Sequence, residues 1–470
     1  MTVDVAVVRR TVYYGLLTIG GETLPKYRWL TRVQWHSAEA IGDLQERRLG
    51  ALLTYAAEHV PYYTKLLRDA GVVGRNGRVE AGSLRHVPLL DKRMLQTHIA
   101  EMRSDECDAR RCYMNSSGGS TGEPTRFLYD PEMRQWATAA AFLCDQWAAY
   151  LCGSRRVLLW GSTRDINASR QSLHMRTLVW LRGEHWLNAF LMDQKRMRSY
   201  VEAINSLRPV QVLGYSHAVY ELSRFALAEG LSLHSPRAVM SSAGTLHESM
   251  RQMVERAFGA PVFDRYGTRE FGTIACECDH HAGLHVLSPL HVVEVVRPDG
   301  SAAPPGEPGE LVVTSLCNYS MPLIRYRITD TASWSAQACP CGRGLPPLSG
   351  VSGRESDQLR RRDGGAVTHL WVVHALGVLY NPGWVKRFQV VQEDYGDIRV
   401  MVQALDGATV NPEEVARLRA RLLPDLEQVM GGPCSLTVDL VDDIPVGPSG
   451  KHRYVVSKVE STRPADPSLG

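Results

Sequence analysis

The sequence has little net charge, no long apolar run and no secretion signal, and each absence excludes a class of protein. Lys and Arg number 53 against 50 Asp and Glu, so no broad basic field is available to attract nucleic acid. No stretch approaches the roughly 18–20 apolar residues that span a bilayer. The N-terminal segment lacks the basic start, apolar core and cleavage site of a signal peptide. We therefore expect a soluble, cytoplasmic protein without nucleic-acid or membrane partners.

The ten cysteines lack the pattern of a disulfide ladder, which also excludes a small secreted scaffold. Four of them form two C-x-C pairs about 60 residues apart, and histidines follow the first pair. Soft ligands on two tight turns indicate a tetrahedral, structural Zn²⁺ site. The preferred ligands are Cys278, His281, Cys339 and Cys341, with His285, His280 or Cys276 as alternates. Buried free cysteines beside surface histidines are the other interpretation.

The 470 residues, 44% of them hydrophobic, are enough for at least two domains. Apolar residues recur at helical spacing between about 38 and 70. Between 136 and 261, strand-like runs alternate with helical stretches, which indicates βαβ units on a largely parallel sheet. After residue 266, short β runs separated by Gly and Pro indicate a β-rich subdomain.

A charged, turn-rich stretch at 352–365 interrupts this pattern and predicts a hinge. Beyond it, strands flank one helix from Pro412 to Met430, which Asn411 caps. The predicted fold class is therefore α/β. A large N-terminal region, residues 1–353, contains α/β subdomains and the β-rich subdomain, and a small mobile α+β domain follows at 354–470.

A Ser/Gly/Thr-rich stretch between Asn115 and Thr125 carries the strongest chemical signal. Small residues let backbone N–H groups approach an anion closely, and hydroxyl groups add donors to phosphate oxygens. A flexible surface loop is the alternative, but the stretch is not repetitive and Pro124 fixes its exit. The Walker motif is absent. The candidate phosphate ligands are Ser116, Ser117, Gly118, Gly119, Ser120, Thr121 and Gly122.

The run SSGGSTGEPTRF, residues 116–127, resembles the phosphate-binding motif of adenylate-forming enzymes, and specifically that of their phenylacetate-CoA ligase and CapK-like branch. The opening run Tyr55–Tyr63 is also typical of this branch. Further segments resemble the family's motifs in order: Ser241–Thr245, Tyr266–Glu270, Met321–Asp330, Gly353–Asp357 and Ile444–Lys451. The resemblance covers nearly the whole chain and implies the adenylate-forming enzyme fold.

The resemblance also implies a role for each motif. ATP would contact the loop residues above together with Ala243, Gly244, Tyr266, Gly267, Arg269, Asp330 and Arg354. Within this set, the tyrosine lies near the adenine and the aspartate binds the ribose hydroxyls. Glu270 would help to hold Mg²⁺. Lys451 would be the catalytic lysine, on a C-terminal domain that rotates about a hinge at Asp357.

Three positions depart from the family's pattern. Glu123 stands where many relatives have Lys, Arg269 where Thr or Ser commonly touches the α-phosphate, and Thr329 where Gly usually precedes the aspartate. Arg269 could restore the missing positive charge through a forked phosphate contact, or it could pair with Glu270. Both interpretations of Arg269 stay open at this point.

The implied reaction converts a carboxylic acid and ATP into acyl-AMP and pyrophosphate. A carboxylate is already ionised at neutral pH, so catalysis needs positioning and charge stabilisation rather than a general base. Trp160, Tyr215 and His217 are candidates for the acyl pocket, where aromatic walls would suit a planar acid. Core packing and, for the histidine, a helix-start role are the alternatives.

The resemblance implies coenzyme A as the acyl acceptor and an aromatic or arylacetic acid as the substrate. An amine or a carrier-protein thiol is the alternative acceptor. A degenerate homologue that binds nucleotide without catalysis is a further alternative because of Glu123 and Arg269, although Glu270, Asp330 and Lys451 argue against it. Whether the chain forms a homodimer stays open.

Overall fold

The computed structural model of the chain describes residues 4–73, 79, 82–116, 126–161, 172–352, 358–367, 371–372, 375–376, 380, 382–405, 408–444 and 454–459. Several residues predicted above lie outside these ranges: Ser117, Gly118, Gly119, Ser120, Thr121, Gly122, Glu123, Arg354, Asp357 and Lys451. Their roles stay predictions. Among the described helices, none is long and apolar enough to cross a membrane.

The described residues form two compact units. One contains those of 1–116, 126–187 and 201–353, and the other contains those of 188–200 and 354–470. Five helices open the first unit: α1 (Val5–Ile19), α2 (Thr23–Val33), α3 (Ala38–His59), α4 (Pro61–Asp69) and α5 (Lys92–Thr97). Asp4 and Ser37 cap α1 and α3 by accepting backbone N–H bonds. The helical stretch predicted from residue 38 is thus two helices, and Pro61 begins the second.

A short antiparallel hairpin follows these helices. Strand β1 (Tyr113–Ser116) pairs with β2 (Arg126–Tyr129), and the pair Ser116 and Arg126 closes its described end. The predicted phosphate loop therefore begins and ends on two adjacent strands. Helix α6 (Pro131–Trp147) comes next, with Asp130 as its cap and Pro131 at its start.

One 11-stranded sheet runs through the first unit in the order β10-β11-β12-β13-β9-β8-β7-β6-β5-β3-β4. Its strands are β3 (Arg156–Leu159), β4 (Glu184–Leu187), β5 (Gln211–Tyr215), β6 (Ala238–Ser242), β7 (Val262–Thr268), β8 (Gly272–Glu277), β9 (Leu284–Val286), β10 (His291–Val296), β11 (Gly309–Ser315), β12 (Tyr326–Trp334) and β13 (Pro347–Ser352).

The sheet has a parallel half and an antiparallel half. Strands β4, β3, β5, β6 and β7 pair in parallel. The helices that alternate with them along the chain are α7 (Leu173–Arg182), α8 (Gln194–Leu207), α9 (Ser216–Ala228) and α10 (Glu248–Phe258). This half matches the predicted βαβ units. From β7 onward every pairing is antiparallel, so the β-rich region continues the same sheet.

The change of direction occurs at the β7–β8 hairpin, which requires Gly267. A Cβ at this position would lie 2.3 Å from the carbonyl oxygen of Gly272, so only glycine fits. The pairing register also shifts between Tyr266 and Gly267. The structure therefore gives this predicted ATP-binding residue a clear structural requirement.

The second unit contains a two-stranded sheet, β14 (Leu359–Arg360) and β15 (Ala366–Val367), and a four-stranded sheet in the order β18-β17-β16-β19. The latter consists of β16 (Val385–Asp394), β17 (Asp397–Ala404), β18 (Ser435–Leu440) and β19 (Val455–Ser457). Helix α11 runs from Pro412 to Met430, as predicted, and Asn411 and Glu414 form a reciprocal capping box.

Candidate active site

Most of the described site residues lie at one edge of the parallel half of the sheet. Trp160 follows β3, Tyr215 ends β5, Ala243 follows β6 and Arg269 follows β7. Parallel strands end on the same side, and open α/β sheets bind ligands in the crevice outside their carboxyl ends. Motifs that are separated in the sequence therefore lie along the same edge of the sheet.

The hydroxyl of Tyr266 donates a hydrogen bond to Oδ2 of Asp330 over 2.8 Å. The two residues belong to different motifs and lie on β7 and β12, and both are half-buried. An ionised carboxylate has about four acceptor sites, so Asp330 can accept ribose hydroxyls while it holds the tyrosine. The structure therefore brings together the residues predicted for adenine and ribose.

The residue before this aspartate has an unusual backbone conformation. Thr329 has a φ of 71°, in the left-handed region that a β-branched residue rarely adopts. Glycine, the residue that the family usually has there, adopts it without steric cost. The irregular stretch of β12 that presents Asp330 is therefore strained in this chain.

Arg325 anchors the segment that leads to Asp330. Its guanidinium forms a forked ion pair with Glu294 over 3.0 and 2.9 Å and donates to the carbonyls of Arg85 and Val87. The residue is buried, so these contacts satisfy a charge that would otherwise be costly. The residue immediately before β12 is thus fixed in place by its side-chain bonds.

Arg269 contacts the chain segment that leads into the predicted phosphate loop, and its phosphate contact stays a prediction. Its Nη1 donates to the backbone carbonyl of Ser116 over 3.0 Å, and within the described residues it forms no ion pair with Glu270. Ser116 is the last residue of β1 before the predicted phosphate loop. Arg269 therefore holds the point at which that loop begins.

Tyr129 contacts the site, although no sequence pattern singles it out. Its hydroxyl donates to the backbone carbonyl of Arg269 over 2.6 Å. Burial raises its pKa, and the nearby charge of Glu270 raises it further, so the hydroxyl keeps its proton and stays a donor. In the sequence, Tyr129 ends an ordinary apolar run after the loop, which carries no functional signal.

A buried serine, also missed, fixes the predicted adenine segment. Ser216 begins α9, lies 2.8 Å from the Ser241 hydroxyl and donates to the carbonyl of Gly244 over 2.8 Å. Ala243 between them has a φ of 59°, so the chain turns sharply after β6. A Cβ added at Gly244 would contact the Ser216 hydroxyl and the His217 ring. This network fixes the turn around Ala243 and Gly244.

The aromatic candidates for the acyl pocket meet at the same edge. The rings of Trp160 and Tyr215 lie 4.1 Å apart between centroids at an interplanar angle of 34°. Trp160 is held by a backbone bond to Leu187, and His217 follows one residue after the start of α9. All three side chains are half-buried, so they are placed to contact a ligand.

The cysteine and histidine cluster forms beside the β8–β9 hairpin. Cys278, His285, Cys339 and Cys341 place their ligand atoms within 4.8 Å of one another. His281, the preferred histidine, instead directs Nδ1 toward Glu277, so that assignment is corrected to His285. The C-x-x-H spacing suggested ligands on a single turn, whereas the hairpin brings the chain back and returns His285 to Cys278. Of the other alternates, His280 is exposed, and the free thiol of Cys276 is hydrogen-bonded to that of Cys144.

Comparisons with known proteins give the family that the chain resembles. The family described as the CapK C-terminal domain matches residues 359–458. Protein CapK of Staphylococcus aureus is 22% identical over 89% of each chain. A phenylacetate-coenzyme A ligase of Thermus thermophilus is 27% identical and covers 77% of this chain and 80% of its own.

Together these matches support a CapK-like and phenylacetate-CoA-ligase-like branch of the adenylate-forming enzymes. The fold of this ligase is shared by the structure of 2-hydroxyisobutyryl-CoA ligase in complex with 2-HIB-AMP and CoA, with a TM-score of 0.57, 18% identity and 91% of each chain covered. The predicted family and fold class are therefore confirmed.

Proposed function

We propose that this ligase joins a carboxylic acid to ATP, releasing pyrophosphate, and then transfers the acyl group from AMP to the thiol of coenzyme A. The bond between Tyr266 and Asp330 carries the proposal, because it joins two nucleotide motifs at the ligand-binding edge of the sheet. Phenylacetate-CoA ligases among the relatives support coenzyme A as the acceptor.

In the first half-reaction, a substrate carboxylate oxygen bonds to the α-phosphorus as the bond to the bridging oxygen breaks. The electron pair leaves with pyrophosphate, and no proton has to be removed because the acid is already ionised. Tyr266 and Asp330 orient the nucleoside, while the loop donors from Ser116 onward and the ammonium of Lys451 stabilise the departing charge.

Glu270 fits the Mg²⁺ role that the family implies. It is half-buried beyond the end of β7, and Mg²⁺ prefers carboxylate and phosphate oxygens. Within the described residues, Arg269 leaves this carboxylate unpaired by donating to Ser116 instead. Bound Mg²⁺ would neutralise phosphate charge. Glu270 would hold it next to Arg269, which bonds to Ser116 at the start of the predicted phosphate loop.

In the second half-reaction, the coenzyme A sulfur attacks the acyl carbonyl carbon and AMP leaves. The acceptor needs access to the adenylate after Lys451 has acted, so we assign the exchange to rotation of residues 354–470 about a hinge at Asp357, with Arg354 beside it. We propose an aromatic or arylacetic acid as the substrate, because the adjacent rings of Trp160 and Tyr215 suit a planar group.

The test is acid-dependent exchange of labelled pyrophosphate into ATP, followed by mass spectrometry of the products formed with coenzyme A. We expect exchange with at least one aromatic acid and a CoA thioester as the product. Asp330→Asn should lower kcat/KM for ATP by about 10- to 100-fold, since it weakens bonds to a charged acceptor. Asp299→Asn, in an exposed turn, is the matched control.

Three outcomes of this experiment would change the proposal. No exchange with any acid in a broad panel would contradict the adenylation step itself. Exchange without a thioester, but with an amide when amines are offered, would replace only the acceptor. Exchange with aliphatic acids alone would overturn the assignment of Trp160 and Tyr215 as walls for an aromatic substrate.

A further inference from the structure

The four-residue cluster has the dimensions of a tetrahedral metal site. The Sγ atoms of Cys278 and Cys339 lie 3.6 Å apart, and Sγ of Cys341 lies 3.4 Å from Nε2 of His285. Ideal tetrahedral zinc, with Zn–S near 2.3 Å and Zn–N near 2.0 Å, gives edges of about 3.8 Å between two sulfurs and about 3.5 Å between sulfur and nitrogen. These two separations match the two kinds of edge, and all four ligand atoms lie within 4.8 Å of one another.

The histidine is oriented for metal binding by its second nitrogen. Nδ1 of His285 donates to the backbone carbonyl of Leu345 over 2.7 Å, so the proton is on Nδ1 and Nε2 carries a lone pair. The ring is fully buried and cannot rotate toward solvent. Nε2 therefore faces the three sulfurs as a ligand would.

Backbone amides complete the surroundings of the sulfurs. The N–H of His280 points at Sγ of Cys278, and the N–H of Arg343 points at Sγ of Cys341, each over 3.5 Å. Such donors stabilise a thiolate, the form of cysteine that binds metals. Each amide lies two residues after its cysteine, so the two turns are built in the same way.

We propose that Cys278, His285, Cys339 and Cys341 bind one structural Zn²⁺ ion. Three thiolates and one imidazole form a ligand set typical of structural zinc, and soft sulfur ligands disfavour Mg²⁺ and Ca²⁺. Four protein ligands complete the tetrahedron and leave no position for substrate. The site is thus separate from the chemistry assigned to Glu270 and Lys451.

The metal would link strands that carry the two halves of the nucleotide site. Cys278 follows β8, which forms a hairpin with the strand of Tyr266, and Cys339 lies between β12, the strand of Asp330, and β13. The second turn is also tied to the helices: Nε of Arg343 donates to Gln34 after α2, and its guanidinium lies 4.8 Å from the ring centroid of Trp147 in α6. Binding the ion would therefore link the end of β8 to the connection between β12 and β13, which Arg343 in turn ties to Gln34 and α6.

The first measurement is the metal content of the full-length protein, purified without an affinity metal. We expect about one equivalent of zinc per chain, as the four-ligand geometry requires. Less than about half an equivalent, or a disulfide between Cys278 and Cys339 found by mass spectrometry without reductant, would overturn the proposal. Replacement by Co²⁺ should give the thiolate charge-transfer and strong visible bands of a tetrahedral sulfur-rich site. Their absence in protein that takes up cobalt would also overturn it.

Paired histidine variants give the sharper test. His285→Gln should lose most of the bound zinc, whereas His281→Gln, four residues away and directed at Glu277, should keep it. The reverse result would restore His281 as the ligand and overturn the assignment made here. If His285→Gln does not fold, wild-type protein titrated with a mercurial reagent tests the three thiolate ligands instead. Zinc should be released in proportion to the reaction of three thiols, and release with no dependence on thiol modification would contradict the proposal.

Discussion

At the scale of single residues, Arg269 departs from the family pattern and yet contacts the same site. Its bond to the Ser116 carbonyl fixes the start of the phosphate loop. We expect Arg269→Ala to raise KM for ATP about five- to tenfold, the effect of losing one hydrogen bond from a charged donor, and Arg269→Lys to restore part of the loss. Steady-state kinetics measure both, and Arg297→Ala, in an exposed ion pair with Glu307, should have no effect. An unchanged KM in Arg269→Ala would contradict this role.

His291 makes the stability of the first unit depend on pH. Complete burial lowers its pKa to about 4, whereas the unfolded chain takes up a proton near 6.5. Since only the unfolded state gains the proton as the pH falls from about 6.5 toward about 4, stability is lost across that window, by about 2 kcal/mol at pH 5. The melting temperature should drop less between pH 7 and pH 5 in His291→Gln than in the wild type. His247→Gln, at an exposed position, should behave as the wild type does, and equal drops in all three proteins would contradict the prediction.

Individual ligands were the hardest feature to predict from the sequence. The two C-x-C pairs indicated a metal site, but spacing alone favoured His281, and only the β8–β9 hairpin returns His285 to the sulfurs. Ser216 and Tyr129 were missed because their roles depend on partners 25 and 140 residues away. No local pattern contains that information.

At the scale of elements, the turn between β6 and α10 depends on a hydroxyl at the start of α9. Ser216→Ala would leave the Ser241 hydroxyl and the Gly244 carbonyl without this buried partner, at a cost of about 1–3 kcal/mol. We expect a lower melting temperature and a higher KM for ATP. Ser235→Ala is the matched control, since it removes an exposed hydroxyl-to-carbonyl bond of the same 2.8 Å length at Gly259. Equal effects of the two variants would show that the Ser216 network has no special role.

Elements with several agreeing signals were predicted well. Helix α11 has its predicted bounds because the Asn411 cap, Pro412 and an apolar period all agree. Helix α1 was not predicted, since its apolar residues are largely exposed and mark no clear buried face. Strand β12 begins at Tyr326 and not earlier, because the φ of 52° at Arg325 interrupts the extended backbone before it.

At the scale of the whole molecule, the two half-reactions should separate at Lys451. Lys451→Ala should lower pyrophosphate exchange by about 100- to 1,000-fold, the usual loss on removing one group that stabilises developing charge. The same variant should still convert a synthetic acyl-AMP into the CoA thioester at nearly the wild-type rate. Lys458→Ala, which removes an ion pair with Glu393, is the control. Equal loss of both half-reactions in Lys451→Ala would argue against a role confined to adenylation.

The two halves of the large sheet were predictable from the sequence, but their union into one continuous sheet was not. Alternating strand and helix patterns gave the parallel half, and Gly and Pro punctuation gave the antiparallel half. That both halves form one 11-stranded sheet depends on the β7–β8 hairpin, where Gly267 lets two backbones approach closely. A glycine in a nucleotide-binding motif suggests a ligand contact. The sequence does not reveal that the hairpin also requires Gly267.

The left-handed Thr329 has a thermodynamic consequence for nucleotide binding. A glycine before Asp330 would sample many backbone conformations in the free enzyme and lose that freedom when ATP binds. A β-branched threonine has fewer backbone conformations to lose, and the surrounding structure holds this one at a φ of 71° despite the strain, which lowers folding stability and not ATP affinity. The carboxylate is thus set in its binding orientation beforehand, and a smaller loss of entropy opposes the capture of ATP.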